Sequence, residues 1–215
     1  MKGITFGDYH SFRDFSLILK PLVIESPAVK EKKIEIEGAD SDLDLTDFFG
    51  EPKYENVRHK FEFSTIVPES GFLSLFSTIK NAIHGKKMRI ILDDDPHYFW
   101  IGRLHVSSFH NERNVGVVSI EANCEPYKYK LEKTVVSRAI NGTEAITLTN
   151  LKKRAVPEVV IATDTSLNIV YQGSNVWDLG NGSFTLPELE LAEGENIVTV
   201  TGIGNITFTW QEAGL

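Results

Sequence analysis

The chain has a single cysteine, Cys124, in 215 residues. That excludes an intrachain disulfide and any zinc site built on cysteines, and Cys124 is expected to behave as a small buried hydrophobe. No run of about 18 apolar residues occurs, so no membrane-crossing helix is expected. The opening residues, Met1 to Tyr9, have no apolar core of a leader peptide. No secretory signal is expected, and synthesis in a cytoplasm is. Cations are in the minority: 22 Lys and Arg stand against 30 Asp and Glu, giving a net charge of −8 and a pI near 5.3. That balance disfavours tight binding to phosphate backbones, yet it suits a surface past which DNA slides without sticking.

Catalytic signatures are also missing. There is no G-x-S-x-G elbow, no P-loop and no dinucleotide fingerprint. None of the six histidines, His10, His59, His84, His97, His105 and His110, pairs at metal-binding helical spacing. His105 and His110 lie near Glu112 and read as solvated strand and turn. Asp40, Asp42, Asp44 and Asp47 suggest calcium, but Gly38 precedes the acids and breaks the EF-hand register, so a solvated acidic loop is expected. Asp93-Asp94-Asp95-Pro96 reads as a turn, because the residue before proline avoids the helical region. No catalytic residue, metal or cofactor is expected, and the chain is not expected to be an enzyme.

What is present is the composition of a folded globular protein, 41% hydrophobic and 24% charged. The length leaves room for one large domain or two of about 100 residues each. Residues 3–25 alternate loosely around Gly7 and Pro21 and read as two short strands. Lys33 to Glu37 alternates strictly and predicts a half-buried strand. Another alternating strand runs within Tyr54–Ile66. After Pro68-Glu69-Ser70-Gly71, the three- and four-residue spacing of Phe72, Leu73, Phe76, Ile79 and Ile83 predicts one helix, packed on a sheet and stopped at His84-Gly85. Residues 88–92, 98–106 and 115–124 predict three strands, with a hairpin tip over Phe109–Asn114. Phe48-Phe49 and Tyr98-Phe99-Trp100 are consecutive aromatics that one strand face cannot bury together. Phe48, Phe49, Tyr98 and Trp100 are therefore candidate subunit-contact residues.

Residues 131–143 read as a linker. Beyond Lys133 the charge thins, from 18 basic and 21 acidic residues before it to 4 and 9 after it. Seven short strands separated by Asn141-Gly142, Asn181-Gly182, Glu193-Gly194 and Gly202-Gly204 predict a β-sandwich. The expected domains are 1–133 and 134–215, the first β-rich with one helix. Tyr171, Trp177 and Trp210 carry rings that suit a sugar. The simpler reading places Trp177 and Trp210 in the core, leaving Tyr171 and Trp177 as weak candidate carbohydrate contacts.

Several stretches resemble the distal tail proteins of long-tailed bacteriophages that infect Gram-positive bacteria. They are Ile34–Gly38, Leu43–Thr46, Phe49-Gly50, Tyr54–Asn56, Asn81–Gly85, Leu92–Pro96, Tyr98, Gly102-Arg103 and Cys124–Lys128, in order. Gly182–Pro187 and Glu193–Asn196 are similar to the galectin-like, jelly-roll-type C-terminal domain of the same family. The resemblance implies a mainly β structural protein of the virion tail. It implies a homo-hexameric ring joining the tail tube protein to tip or baseplate proteins, with DNA passing through unbound. No span is long enough for the receptor-holding arm of larger relatives. The alternative reading is a carbohydrate-binding module that touches host cell-wall sugars.

Overall fold

The computed structural model describes residues 2–48, 50–112 and 115–215. It is mainly β, as expected, and divides into two compact units, Met1–Lys128 together with Leu215, and Tyr129–Gly214. The sequence reading places the division after Lys133.

The first unit begins with β1 (Ile4–Phe6), β2 (Tyr9–His10), the single helical turn α1 (Ser11–Phe15) and β3 (Leu17–Leu19). Two strands were expected here. The α1 turn is too short to show a helical period. It forms because the His10 ring caps it, Nδ1 accepting from the Phe12 and Arg13 amides at 3.2 and 3.1 Å. Next come β4 (Lys33–Ile34), β5 (Leu43–Asp44) and β6 (Val57–Thr65). The half-buried strand expected over 33–37 shrinks to two exposed residues, because among the described residues only β5 pairs with it.

The helix α2 (Phe72–Ile83) follows a short 3₁₀ turn and carries the expected stripe onto the core through Phe72, Ile79 and Ile83. Leu73 falls off that face and is 76% exposed. Gly85, at φ +76°, takes the left-handed position that ends the helix. Then β7 (Lys87–Leu92), β8 (Tyr98–Glu112) and β9 (Val115–Cys124) form the expected antiparallel meander. Strand β8 continues through Phe109 to Glu112, into the stretch predicted as the hairpin tip. The sheet runs β2-β1-β7-β8-β9-β6-β3. Its inner face holds Phe6, Phe61, Phe63, Leu104 and Ile120, all without solvent exposure, with α2 packed against them. In β6 the alternation is clean: Val57, His59, Phe61 and Phe63 point inward while Arg58 and Lys60 point out. The three aspartates of the 93–95 turn go to separate partners. Asp93 accepts from the Gly3 amide, while Asp94 and Asp95 pair with Lys2 and Lys128.

A short strand, β10 (Lys128–Lys130), carries the chain into the second unit. Its strands are β11 (Thr134–Asn150), β12 (Glu158–Ala162), β13 (Leu167–Tyr171), β14 (Asn175–Leu179), β15 (Gly182–Thr185), β16 (Gly194–Trp210) and β17 (Ala213–Gly214). The expected linker 131–143 is mostly strand. Strands β11 and β16 pair without interruption from Thr134↔Trp210 to Asn150↔Gly194. On the far edge of β16, β13 pairs with residues 198–202 and β12 with 205–209. Of the glycines that read as breakers, Gly182 and Gly194 stand at strand starts, while Gly142, Gly202 and Gly204 lie inside the ribbon. Gly202 and Gly204 sit at φ +141° and +159° where one neighbour gives way to the other. Both halves of the ribbon feed one core, with Ile140, Ile206 and Phe208 from one and Ile146, Val198 and Val200 from the other. The sheet therefore curls over a single apolar centre.

Candidate interaction surfaces

The consecutive aromatics separate once folded. Trp100 is 8% exposed and sits in the first unit's core, edge-on to His59 at 5.2 Å. An inward position on β8 puts it there, so it offers no outward surface. Tyr98 is half-buried, with the Lys128 ammonium 4.6 Å above its ring. Phe48 is 71% exposed. Phe49 lies outside the described residues.

Phe48 belongs to a larger feature that single-residue reading missed. Between β3 and β6 the chain leaves the sheet as an arm. Its base is a short ladder: a Val29↔Tyr54 bridge, with the Lys30 amide donating to the Lys53 carbonyl at 2.7 Å and the Glu55 amide to the Ala28 carbonyl at 2.8 Å. Farther out, among the described residues, β4 and β5 pair only with each other. Thr46 steadies the turn, its amide donating to Asp44 at 2.9 Å, and its hydroxyl together with that amide holds the Asp44 carboxyl below its usual pKa. Along the arm Val29, Ile34, Ile36, Leu43 and Phe48 are all exposed. The tip, residues 35–51, holds Glu35, Glu37, Asp40, Asp42, Asp44, Asp47 and Glu51, seven acids with no lysine or arginine. Apolar residues alternating with an excess of carboxylates are the signal that was available in the sequence.

The residues just before and after the arm line a cavity of about 300 Å³ in the first unit, with Ile24, Pro27, Val57, His59, Trp100 and Pro126 among its walls. His59 is 1% exposed, and neither ring nitrogen has a hydrogen-bond partner. Burial pushes its pKa below the ordinary 6.5. Cys124 is fully buried, as expected, and desolvation pushes its thiol up to about 12, so it is inert at neutral pH.

On the outer face of the same sheet, register aligns Lys87↔Arg103, Arg103↔Asn123 and Asn123↔Arg58 across β7, β8, β9 and β6. Arg58, Arg103 and Asn123, with His105 and Glu121, line a depression of about 270 Å³.

In the second unit the two candidate sugar contacts do not form a platform. Tyr171 is buried, its hydroxyl 2.9 Å from both the Glu190 carbonyl and Asn196 Oδ1, and burial raises its pKa. Trp177 is half-buried on β14 and packs against the core from the sheet edge. Trp210 is in the core. Among the described residues no cluster of three or more His, Cys, Asp or Glu is placed to hold a metal.

No protein-family model matches the chain, and no curated protein does. A solved structure does match in fold. It is the crystal structure of the SPP1 Dit (gp 19.1) protein, described as a paradigm of the hub adsorption apparatus in phages that infect Gram-positive bacteria. The match has a TM-score of 0.75 and covers 100% of both chains at 14% identity. The chain has the fold of that protein over its whole length.

Proposed function

We propose that this chain is a structural component of a phage tail, a distal hub protein whose first unit closes into a hexameric ring. The ring joins the tail tube to the tip or baseplate and leaves a passage for DNA. The observation that carries this reading is the full-length fold correspondence with a hub protein. The sequence resemblance to distal tail proteins points the same way. The arm supplies a physical reason for assembly. A monomer that exposes Ile34, Ile36, Leu43 and Phe48 together gains free energy by covering them. Head-to-tail use of one such surface by identical subunits closes a ring when the rotation fits. Covalent chemistry has no part in this role.

The test is mass across a concentration series of the full chain, with negative-stain imaging of the largest species. A ring of six protomers with a central opening is the expected outcome. A chain that stays monomeric at every concentration would sink the proposal.

A further inference from the structure

We infer that the acidic arm tip of one copy docks on the outer sheet face of the next, against Arg58 and Arg103. This rests on the ring-forming reading and names its contact. The cross-strand row is the first observation. Lys87 and Arg103 are directly opposed like charges, an arrangement that costs stability in an isolated sheet. Lys87 is relieved by Glu125 at 2.7 Å. The Arg103 guanidinium turns instead to the Gly85 carbonyl, 2.5 Å away. Arg58 is 73% exposed on its side chain and only loosely held, 3.8 Å from Glu121. Asn123 stands between the two arginines in register, with amide protons to donate. Two guanidinium groups and an amide around one depression, whose lining also includes Glu121 and His105, can receive carboxylates where an incoming acid competes with Glu121 for Arg58.

The second observation is charge complementarity within the chain. The tip carries seven acids and no lysine or arginine, with Lys33 opposite Asp44 at its root, so its excess negative charge is complementary to a basic surface. Its carboxylates flank exposed Ile36 and Leu43, so one docking event covers apolar surface and pairs charge. Within one copy, among the described residues, β4 and β5 pair only with each other. A tip-to-face contact uses two different patches and is heterologous, the type that propagates around a ring.

Two readouts test the contact. In the first, full-length chains carrying Asp42→Cys are mixed with chains carrying Asn123→Cys and oxidised gently. Buried Cys124 does not compete. A disulfide-linked dimer that forms far faster in the mixture than in either chain alone is expected. In the second, Arg58→Glu with Arg103→Glu should raise the concentration for half-assembly roughly tenfold or more, and Asp40→Lys with Asp42→Lys in the same chain should restore part of it. Both variants should melt like the parent at dilutions where all are monomeric. A parent that assembles, with no mixed disulfide and no effect of charge reversal, overturns the docking and leaves the ring. A parent that never assembles overturns both.

Discussion

Substituting Phe48 and Trp100 separates surface from core. Phe48→Asp acts on a ring that is 71% exposed. A phenylalanine buries about 200 Å² when fully covered, so roughly 140 Å² is available for a neighbour to cover. At about 25 cal/mol per Å² that is a ceiling of roughly 3.5 kcal/mol per contact. Incomplete burial and ordering of the arm lower it to about 1.5–3 kcal/mol, or about 10- to 100-fold in the concentration needed for assembly. The melting temperature of the monomer should barely move, because exposed substitutions stay within about 0.5 kcal/mol. Trp100→Ala should do the reverse. It empties a core position beside His59 and should cost about 3–5 kcal/mol, a fall of roughly 10–15 °C for a unit of this size. Sedimentation velocity across a dilution series gives the first number and calorimetry the second. If Phe48→Asp melts the monomer early while assembly is untouched, Phe48 is a folding residue and the arm is not an assembly element.

Two other substitutions probe the two cores. His59 has a folded pKa below its unfolded value of about 6.5, so the unfolded chain binds the extra proton. Its contribution to stability should therefore fall as pH drops through 6.5 towards the folded pKa, and a melting profile from pH 7.5 to 5 should be flatter for His59→Phe than for the parent; parallel profiles would show that His59 finds a partner in solution. In the second unit, a β-carbon at Gly202 meets Leu167 Cδ2 at 2.7 Å and the Ser166 carbonyl at 2.9 Å, at a φ of +141° that side chains rarely adopt. Gly202→Val should cost several kcal/mol, whereas Gly173→Ala, with open space around it but φ +70°, should cost only about 1 kcal/mol; equal losses in chemical denaturation would mean that the bend at Gly202 is not what holds the two half-sheets over one core.

The parts of the fold that showed in the sequence are those whose pattern repeats inside one element. Strand β6 alternates over nine residues, α2 keeps a helical stripe, and the 88–124 meander has turn chemistry at each end. The parts that did not show depend on neighbours. Nothing local says that Gly142, Gly202 and Gly204 bend a 17-residue strand pair instead of ending it. That decision is made by β12 and β13, which take the two ends of β16 on one edge. Likewise Phe48 and Trp100 are both aromatic beside another aromatic. Only the tertiary position of β8 over His59 sends one inward and leaves the other on the arm. Tyr171 reads as a sugar-facing ring until Glu190 and Asn196 take its hydroxyl.

The arm also changes what the net charge means. Thirty acids less the seven of the tip leave 23, against 22 lysines and arginines, so the remaining residues carry −1. The acidity is therefore concentrated at the tip of one protruding hairpin, whose base carries Lys30, Lys32, Lys33 and Lys53. A diffuse negative surface would repel identical neighbours from every direction and disfavour a closed assembly. Acids gathered at one tip concentrate that repulsion there. Under the proposed docking, tip repels tip and favours the basic row, which would select one relative orientation of successive copies. The same localisation sets how salt should act. Under the proposed docking, at about 0.1 M salt the tip should find the basic row over a Debye length of about 10 Å, and at molar salt that guidance should be lost while apolar contacts of Ile36, Leu43 and Phe48 persist. Assembly that slows with salt, but does not vanish, follows from an arm whose charge guides and whose apolar residues hold.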